Sequence, residues 1–282
     1  ILTGYDPGDI TKSYANISGE SYTVNKTYDS TTSTDTATFG TATTTSANGL
    51  SSNISLTLSS PTLTYDDADF NDNSKTVTAS SAYTISSATH STHGTVYGLT
   101  GGTQSISNAR ISKAVLSSSG SRTYDATTTA AAADQTLSGL QNSETLTLSG
   151  SGTVTSADVG TSKTITVGSL ALSNGTGTAS NYTITGGTHT LDITQAVLSS
   201  SGSRTYDATT TAAAADQTLS GLQNSETLTL SGSGTVTSAD VGTSKTITVG
   251  SLALSDGTGT ASNYTLTGGT HTLTITAQTS TE

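Results

Sequence analysis

Short stretches of the chain alternate polar and apolar residues with a period of two. Thr145-Leu146-Thr147-Leu148, Lys163-Thr164-Ile165-Thr166-Val167 and Thr190-Leu191-Asp192-Ile193-Thr194 each place every second side chain on one face, the pattern of a half-buried strand. Threonine is β-branched and suits a pleated surface, so the threonines between the leucines and valines belong to the same strands. Within residues 114–195 the pattern predicts about seven short strands, near 114–117, 135–138, 143–149, 152–155, 163–168, 180–185 and 189–195. Turn-prone stretches separate them: Ser118-Ser119-Gly120-Ser121, Gln141-Asn142, Ser149-Gly150-Ser151-Gly152, Asn174-Gly175-Thr176-Gly177 and Gly186-Gly187. The inward positions are Leu116, Tyr124, Leu137, Leu140, Leu146, Leu148, Val154, Val159, Ile165, Val167, Leu170, Leu172, Tyr182, Ile184, Leu191 and Ile193, enough for one small two-layer core. The alanine run 130–133 is long enough to nucleate one helical turn and too short for a helix.

The same pattern returns. Residues 114–195 and 196–277 are one 82-residue unit, differing only at Asn174/Asp256, Ile184/Leu266, Asp192/Thr274 and Gln195/Ala277. Such identity marks a duplicated array. Residues 27–113 read as a divergent copy: Lys26-Thr27-Tyr28-Asp29 echoes Arg122-Thr123-Tyr124-Asp125, and Tyr97-Gly98-Leu99-Thr100 echoes Tyr182-Thr183-Ile184-Thr185. Residues 1–26 resemble the last quarter of a further copy, so the chain, which begins at Ile1, is expected to be a piece of something longer. No Gly/Pro/Ser-rich linker separates the copies, because Leu191-Asp192-Ile193-Thr194-Gln195 runs straight into Ala196-Val197-Leu198. The expected fold is therefore all-β: tandem small two-layer modules, immunoglobulin-like sandwich or β-grasp-like, forming an elongated rod.

Composition bears on this reading. Of 282 residues 65 are Thr and 47 Ser, a proportion that would suggest disorder if the period-two alternation were absent. With hydrophobic residues at 31%, each module can build only a thin core, which argues against a large single-core enzyme. Cys is absent, so disulfides, thiolate-held zinc and thiol chemistry are excluded. The net charge is −11 and the nine basic residues are scattered, which argues against nucleic acid as a partner, and no apolar run is long enough for a membrane-spanning helix.

The segment Arg122-Thr123-Tyr124-Asp125-Ala126-Thr127-Thr128-Thr129-Ala130, followed by Leu146-Thr147-Leu148, Ala157-Asp158-Val159-Gly160, Leu170-Ala171-Leu172 and Asn181-Tyr182-Thr183-Ile184, resembles the YDG-type repeat. The glycine usual after Tyr-Asp is Ala126, Ala208 and Ser30 here, and the proline common at the module end is Gln195, Ala277 or Lys113. On this resemblance 1–26 is the C-terminal part of a preceding module, 27–113 a divergent YDG-like module, 114–195 a YDG module and 196–282 another with a short tail. Such repeats occur in large bacterial exoproteins similar to filamentous haemagglutinin, many of them exported by two-partner secretion. The resemblance implies an extracellular or cell-surface adhesin, biofilm-matrix or fibre protein whose modules form the stalk, and it carries no catalytic residues.

Candidate chemistry is sparse. Asp67, Asp69 and Asn71, inside Asp66-Asp67-Ala68-Asp69-Phe70-Asn71-Asp72-Asn73, place oxygens at alternate positions as a calcium loop does, although the turn glycine is Asp72 and the twelfth-position glutamate is Thr78. A solvated acidic turn is the competing reading, and no other cofactor is implied. His90 and His93 would point to opposite faces of a strand, and no nucleophile elbow is present. His189 and His271 are repeat equivalents with a structural or exposed role. The recurring Tyr28-Asp29, Tyr124-Asp125 and Tyr206-Asp207 read as a core aromatic whose hydroxyl reaches a backbone group, followed by a turn aspartate. A Lys163 to Asn181 isopeptide cross-link would suit a cysteine-free stalk. Six Asn-x-Ser/Thr sequons, at Asn16, Asn25, Asn53, Asn174, Asn181 and Asn263, are candidate glycosylation sites.

The expected function is a non-catalytic structural stalk of a secreted or surface-attached adhesin or biofilm-matrix exoprotein. Its partners would be neighbouring copies of itself or other matrix and cell-surface components, with any glycan recognition in regions outside this segment. The alternative is a self-assembling extracellular filament or sheath, polymerising through strand exchange or edge pairing of the incomplete module 1–26. Binding of sugar or ice through flat threonine rows is a third reading, disfavoured because those rows are short.

Overall fold

The computed structural model describes residues 16–18, 24–34, 43–45, 54–59, 63–79, 84–90, 94–95 and 105–279. Among them every regular element is a strand, apart from three-residue 3-10 turns such as Ala132–Asp134 and Ala179–Asn181. The protein is all-β and built of tandem modules. It divides into two compact units, one of Ile1–Ala114 with Leu140–Glu144 and Thr178–Thr183, the other of Val115–Gly139, Thr145–Gly177 and Ile184–Glu282. These units do not follow the repeat boundaries, because two segments of the second repeat, Leu140–Glu144 and Thr178–Thr183, pack with the residues that precede that repeat.

In the second unit each repeat is organised on a four-stranded core. For the first of the two repeats the order is Gln135–Ser138, Ser117–Thr123, His189–Thr194, Gly160–Thr164. The two central strands are the opening and closing strands of the repeat and run parallel, with Ser118 opposite His189 and Thr123 opposite Thr194. The outer strands are antiparallel to them. Parallel neighbours need a long crossover, and here nearly the whole repeat supplies it. Immunoglobulin-like sheets are antiparallel, so the parallel centre favours the β-grasp-like alternative. The next repeat has the same core, and its sheet curls on through Ser233–Val236 to Thr211–Ala213, making six strands. Between repeats only Gln195 separates His189–Thr194 from Ala196–Val197, as the absence of a linker predicts.

The central strand Ser117–Thr123 is a correction, since its Ser-Ser-Gly-Ser composition predicts a turn. Its inward residue is Ser118, 3% exposed, and Gly120 lies where a Cβ would come 1.7 Å from the carbonyl oxygen of Asp134. A polar inward residue and a missing side chain erase the alternation that marks a strand, while satisfying the packing of one. The alanine run forms the single turn expected of it, in 3-10 form at Ala132–Asp134.

The core is thin. Leu116, Tyr124, Val154, Ile165, Leu170, Tyr182, Leu191 and Ile193 are buried, whereas Leu137, Leu140, Leu146, Leu148, Val159, Val167, Leu172 and Ile184 are only half-buried. Small residues fill the closest approaches: Ala130 is fully buried, and a Cβ on Gly152 would meet Ile165 Cγ2 at 2.4 Å.

The first unit repeats the theme. Asn25–Thr27 runs parallel to Ser105–Ser112, which is flanked by Asn71–Ala79 and then Leu63–Tyr65, both pairings antiparallel. Val24, Tyr28, Leu63, Tyr65, Val77 and Ile111 form its core. Asn25–Thr27 crosses the boundary expected between residues 26 and 27, because the opening strand of the module begins before the Tyr-Asp pair. Asn16–Ser18, in the segment expected to offer strands to a neighbour, pairs with Thr43–Thr45 of the same chain.

Candidate functional site

Each Tyr-Asp pair ends an opening strand and begins a tight loop. In the second repeat the Asp125 carboxylate accepts the backbone N–H and the hydroxyl of Thr127, both at 2.9 Å, and pairs with Arg122, whose guanidinium also donates to Thr127 O at 2.6 Å. Burial pushes the Asp125 carboxyl up, but the Thr127 donors and Arg122 outweigh it and hold the group below the usual aspartate value. The residue that follows is left-handed, with φ of 61° at Ser30, 61° at Ala126 and 63° at Ala208. Glycine adopts this conformation without strain, which explains why glycine is usual there. In the first unit a buried lysine replaces the arginine. Lys26 Nζ donates to Asp29 Oδ1 at 2.6 Å, Thr31 O at 2.5 Å and Ser33 O at 2.9 Å, and lies 5.3 Å from the centre of the Tyr65 ring.

These loops present the tyrosine to the following repeat. Tyr124 donates its hydroxyl to Glu226 Oε1 at 2.8 Å, and Tyr264 donates to the other oxygen of the same carboxylate at 2.6 Å. The two rings meet edge to face with centres 5.3 Å apart, and the Gln223 N–H donates to the Tyr264 oxygen at 3.0 Å. Beside them the Asn263 carboxamide, 1% exposed, closes a second link: its oxygen accepts the Val159 N–H at 2.9 Å and its nitrogen donates to Asp158 Oδ1 at 2.9 Å. Gln195 Nε2 adds bonds to Ser262 O and Tyr264 O. Burial, and then the bond to Glu226, push the Tyr124 phenol up to about 12, and the same two causes put Tyr264 at about 12. Asp158 is held below the usual value by the donors on Asn263 and Ser156.

The first unit contains the same joint. Tyr28 donates to Glu144 Oε1 at 2.7 Å and Tyr182 to Glu144 Oε2 at 2.5 Å, with ring centres 5.1 Å apart and Gln141 N–H on the Tyr182 oxygen at 3.0 Å. Asn181 accepts the Phe70 N–H at 2.7 Å and donates to Asp69 Oδ1 at 2.8 Å. Tyr182 is pushed up to about 12 by burial and its bond to Glu144, and Tyr28 is raised for the same reasons. Lys113, where the other joint has Gln195, lies 4.7 Å from the centre of the Phe70 ring.

The Tyr-Asp expectation is thus half corrected. The aspartate organises its turn as expected, but the tyrosine hydroxyl reaches a carboxylate of the next repeat and not a backbone group. Glu144, Glu226 and the joint role of Asn181 and Asn263 are missed by sequence reasoning. The available signal is the recurrence of Asn-Tyr and of a lone glutamate at one spacing in both repeats.

The sequence-predicted sites fare differently. Asp67, Asp69 and Asn71 do not converge as calcium ligands: Asp67 pairs with Lys75, Asp69 accepts from Asn181, and Asn71 Oδ1 accepts the N–H and hydroxyl of Ser74. Lys75, the first cause, holds the Asp67 carboxyl below the usual value, and among the described residues no three His, Asp or Glu side chains group to hold a metal. Asn181 and Asn263 are corrected as glycosylation sites, because a buried carboxamide making two hydrogen bonds is closed to a glycan. Asn25 and Asn174 are exposed; Asn16 lies in strand Asn16–Ser18, and Asn53 is outside the described residues. For the isopeptide, Lys163 Nζ donates to Ser156 Oγ at 3.3 Å while Asn181 serves the joint. His90 ends strand Thr84–His90, and His93 is outside the described residues.

A serine does meet a histidine: Ser118 Oγ and His189 Nδ1 are 3.0 Å apart, with Nε2 2.8 Å from Ile184 O. The Nε2 proton therefore goes to the carbonyl, and Nδ1 accepts the serine proton. The Gln135 nitrogen, which is otherwise buried without a partner, is satisfied when it faces Ser118 Oγ, the atom 3.0 Å from the other end of its amide. Both Ser118 and His189 are buried, so this is a structural network at the base of the sheet, repeated at Ser200 and His271.

No curated protein and no solved structure matches the chain. The YDG domain model matches residues 108–191 and 188–273, over half of the chain, and each match begins in or beside the closing strand of the preceding repeat. With the Tyr-Asp loop and its left-handed third residue in both matched segments, the chain belongs to the YDG domain family.

Proposed function

We propose that this chain is a non-catalytic, load-bearing repeat segment of a secreted or surface-attached bacterial adhesin or biofilm-matrix exoprotein. The observation that carries the reading is the joint, made twice from the same residues with corresponding distances agreeing within about 0.2 Å. A joint of this kind serves load. Two phenols on one carboxylate and the asparagine's bond to an aspartate contribute about 1.5–3 kcal/mol each, and the asparagine's bond from a backbone N–H about 0.5–1.5 kcal/mol. These bonds are partly buried beside the buried tyrosines and asparagines, which limits competition from water. The one-residue connection at Gln195 leaves little slack for the joint to open before the strands themselves are loaded. Stalk length would then follow repeat number, with no enlargement of the core. Setting and anchoring rest on the resemblance to repeats of exoproteins similar to filamentous haemagglutinin.

The test is made on the producing cells. Antibody to this chain should label the outer surface or matrix, protease treatment of intact cells should remove the label, and deletion of the repeats should shorten the surface projection. Recovery of the chain only from the cell interior would overturn the proposal.

A further inference from the structure

Oxidants have few targets in this chain. Cys, Met and Trp are absent, so the side chains that usually take oxidative attack first are missing, and the tyrosines are left as the readiest one-electron donors. Four of the 11 tyrosines are set in two pairs by the joints. The rings of Tyr28 and Tyr182 are centred 5.1 Å apart at 75° to each other, and those of Tyr124 and Tyr264 are centred 5.3 Å apart at 77°. Each pair aims both hydroxyls at the two oxygens of one carboxylate, at 2.7 and 2.5 Å on Glu144 and at 2.8 and 2.6 Å on Glu226. The phenol oxygens of a pair, and the ring carbons beside them, are therefore gathered at one place. All four rings are buried, whereas both glutamates are half-buried and in reach of solvent.

We propose that each joint is a site of oxidative cross-linking, at which Tyr28 couples to Tyr182, and Tyr124 to Tyr264, as dityrosine, joining consecutive repeats covalently. The co-reactant is a one-electron oxidant of the kind that peroxide drives. Each phenol gives it one electron and gives one proton to the shared glutamate, which passes the proton to solvent. The two phenoxyl radicals then pair their electrons in a bond between the ring carbons next to the oxygens. The hydrogens on those carbons move to the oxygens and restore both phenols. In sum two electrons and two protons leave, and one peroxide that takes them becomes two molecules of water. The glutamate is suited to its part because it already accepts both hydroxyl protons as hydrogen bonds. Burial keeps other molecules from a radical once it forms, so the partner ring is the nearest group for it to meet. The coupled product holds its rings twisted against each other with both oxygens on one side, and a tilt of one ring within the pair reaches it from the observed arrangement. The chemistry follows from the joint alone and is independent of the adhesin reading.

The experiment oxidises the folded chain with persulfate and tris(bipyridyl)ruthenium under visible light, at low protein concentration so that chains seldom collide. Dityrosine fluorescence should appear on a product of single-chain mass, two hydrogens lighter for each link. Cleavage after glutamate should then leave fragment 21–144 joined to 145–226 and to 227–282, and trypsin should trim the second product to 123–144 joined to 246–282. The yield should be about tenfold above that of the chain unfolded in urea, where the pairs are not held together. Tyr264→Phe should remove the link to 227–282 and keep the link between Tyr28 and Tyr182, which serves as the control within the same molecule. Tyr206→Phe should leave both links in place, since Tyr206, 37% exposed, belongs to neither pair. Equal yields in the folded and unfolded chain overturn the proposal. So does dityrosine found only at doubled mass, or oxidation that consumes Tyr206 and leaves both pairs unlinked.

Discussion

Tyr124 and Glu226 are 102 positions apart in sequence and 2.8 Å apart in space. The hydroxyl of one repeat's loop tyrosine is satisfied by the carboxylate of the next repeat. Neither module buries its polar groups alone, which couples the stability of neighbours.

Replacing Glu226 by alanine should destabilise the chain by about 3–6 kcal/mol, since two phenols lose a charged acceptor. Urea unfolding of the variant should show an earlier loss of the last repeat. Glu144→Ala should cost a similar amount at the other joint, and the double variant should be close to additive, because the carboxylates share no partner.

Ala126→Gly and Ala208→Gly should stabilise. A left-handed alanine costs about 1–2 kcal/mol, against about 0.5–1 kcal/mol for the greater unfolded-state freedom of glycine, leaving a net gain of roughly 0.5–1 kcal/mol per site. An upward shift of the urea midpoint with an unchanged slope is the expected result, and a downward shift would show that the loop does not hold φ near 61°.

The joints should fail in alkali. Tyr124, Tyr182 and Tyr264 have phenols raised from 10.0 to about 12. A group raised in the folded state contributes stability that is complete below its unfolded value and is lost as the pH climbs through the folded one. Stability should therefore be level to about pH 10 and fall between there and about 12, with tyrosinate absorbance rising together with the loss of the β-sheet signal.

Asn263→Asp changes one atom and should cost about 2–4 kcal/mol. It sets a buried carboxylate against Asp158 Oδ1, and a bond is lost where the amide donated. Raising the ionic strength should recover little, since the pair is shielded from solvent on the Asn263 side. In a glycosylating host, mass spectrometry should find glycan on Asn25 or Asn174 and none on Asn181 or Asn263, whose side chains are occupied before a transferase could reach them in the folded protein.

Much of the architecture is legible in the residues. Leu191 and Ile193 alternate with threonine and aspartate because one face of their strand is buried, and they are found buried. The opening strand Ser117–Thr123 is not legible, because what holds it is a hydrogen-bonded Ser118 and a close approach at Gly120, neither of which leaves a hydrophobic trace. Asn181 and Asn263 read as sequons because Thr183 and Thr265 follow them, and a three-residue motif carries no information on burial.

From the sequence alone came the repeat, the strand period, the absence of thiol chemistry and the turn after Tyr-Asp, all properties of neighbouring residues or of self-comparison. The tertiary structure decided the pairings between distant positions: the parallel union of opening and closing strands, the sharing of Glu144 and Glu226 by two phenols, and the uncovering of Tyr206. Identical Tyr-Asp sequences at 124 and 206 end in opposite environments, 4% and 37% exposed. A side chain's burial depends on what packs over it, and here the covering groups lie in another repeat.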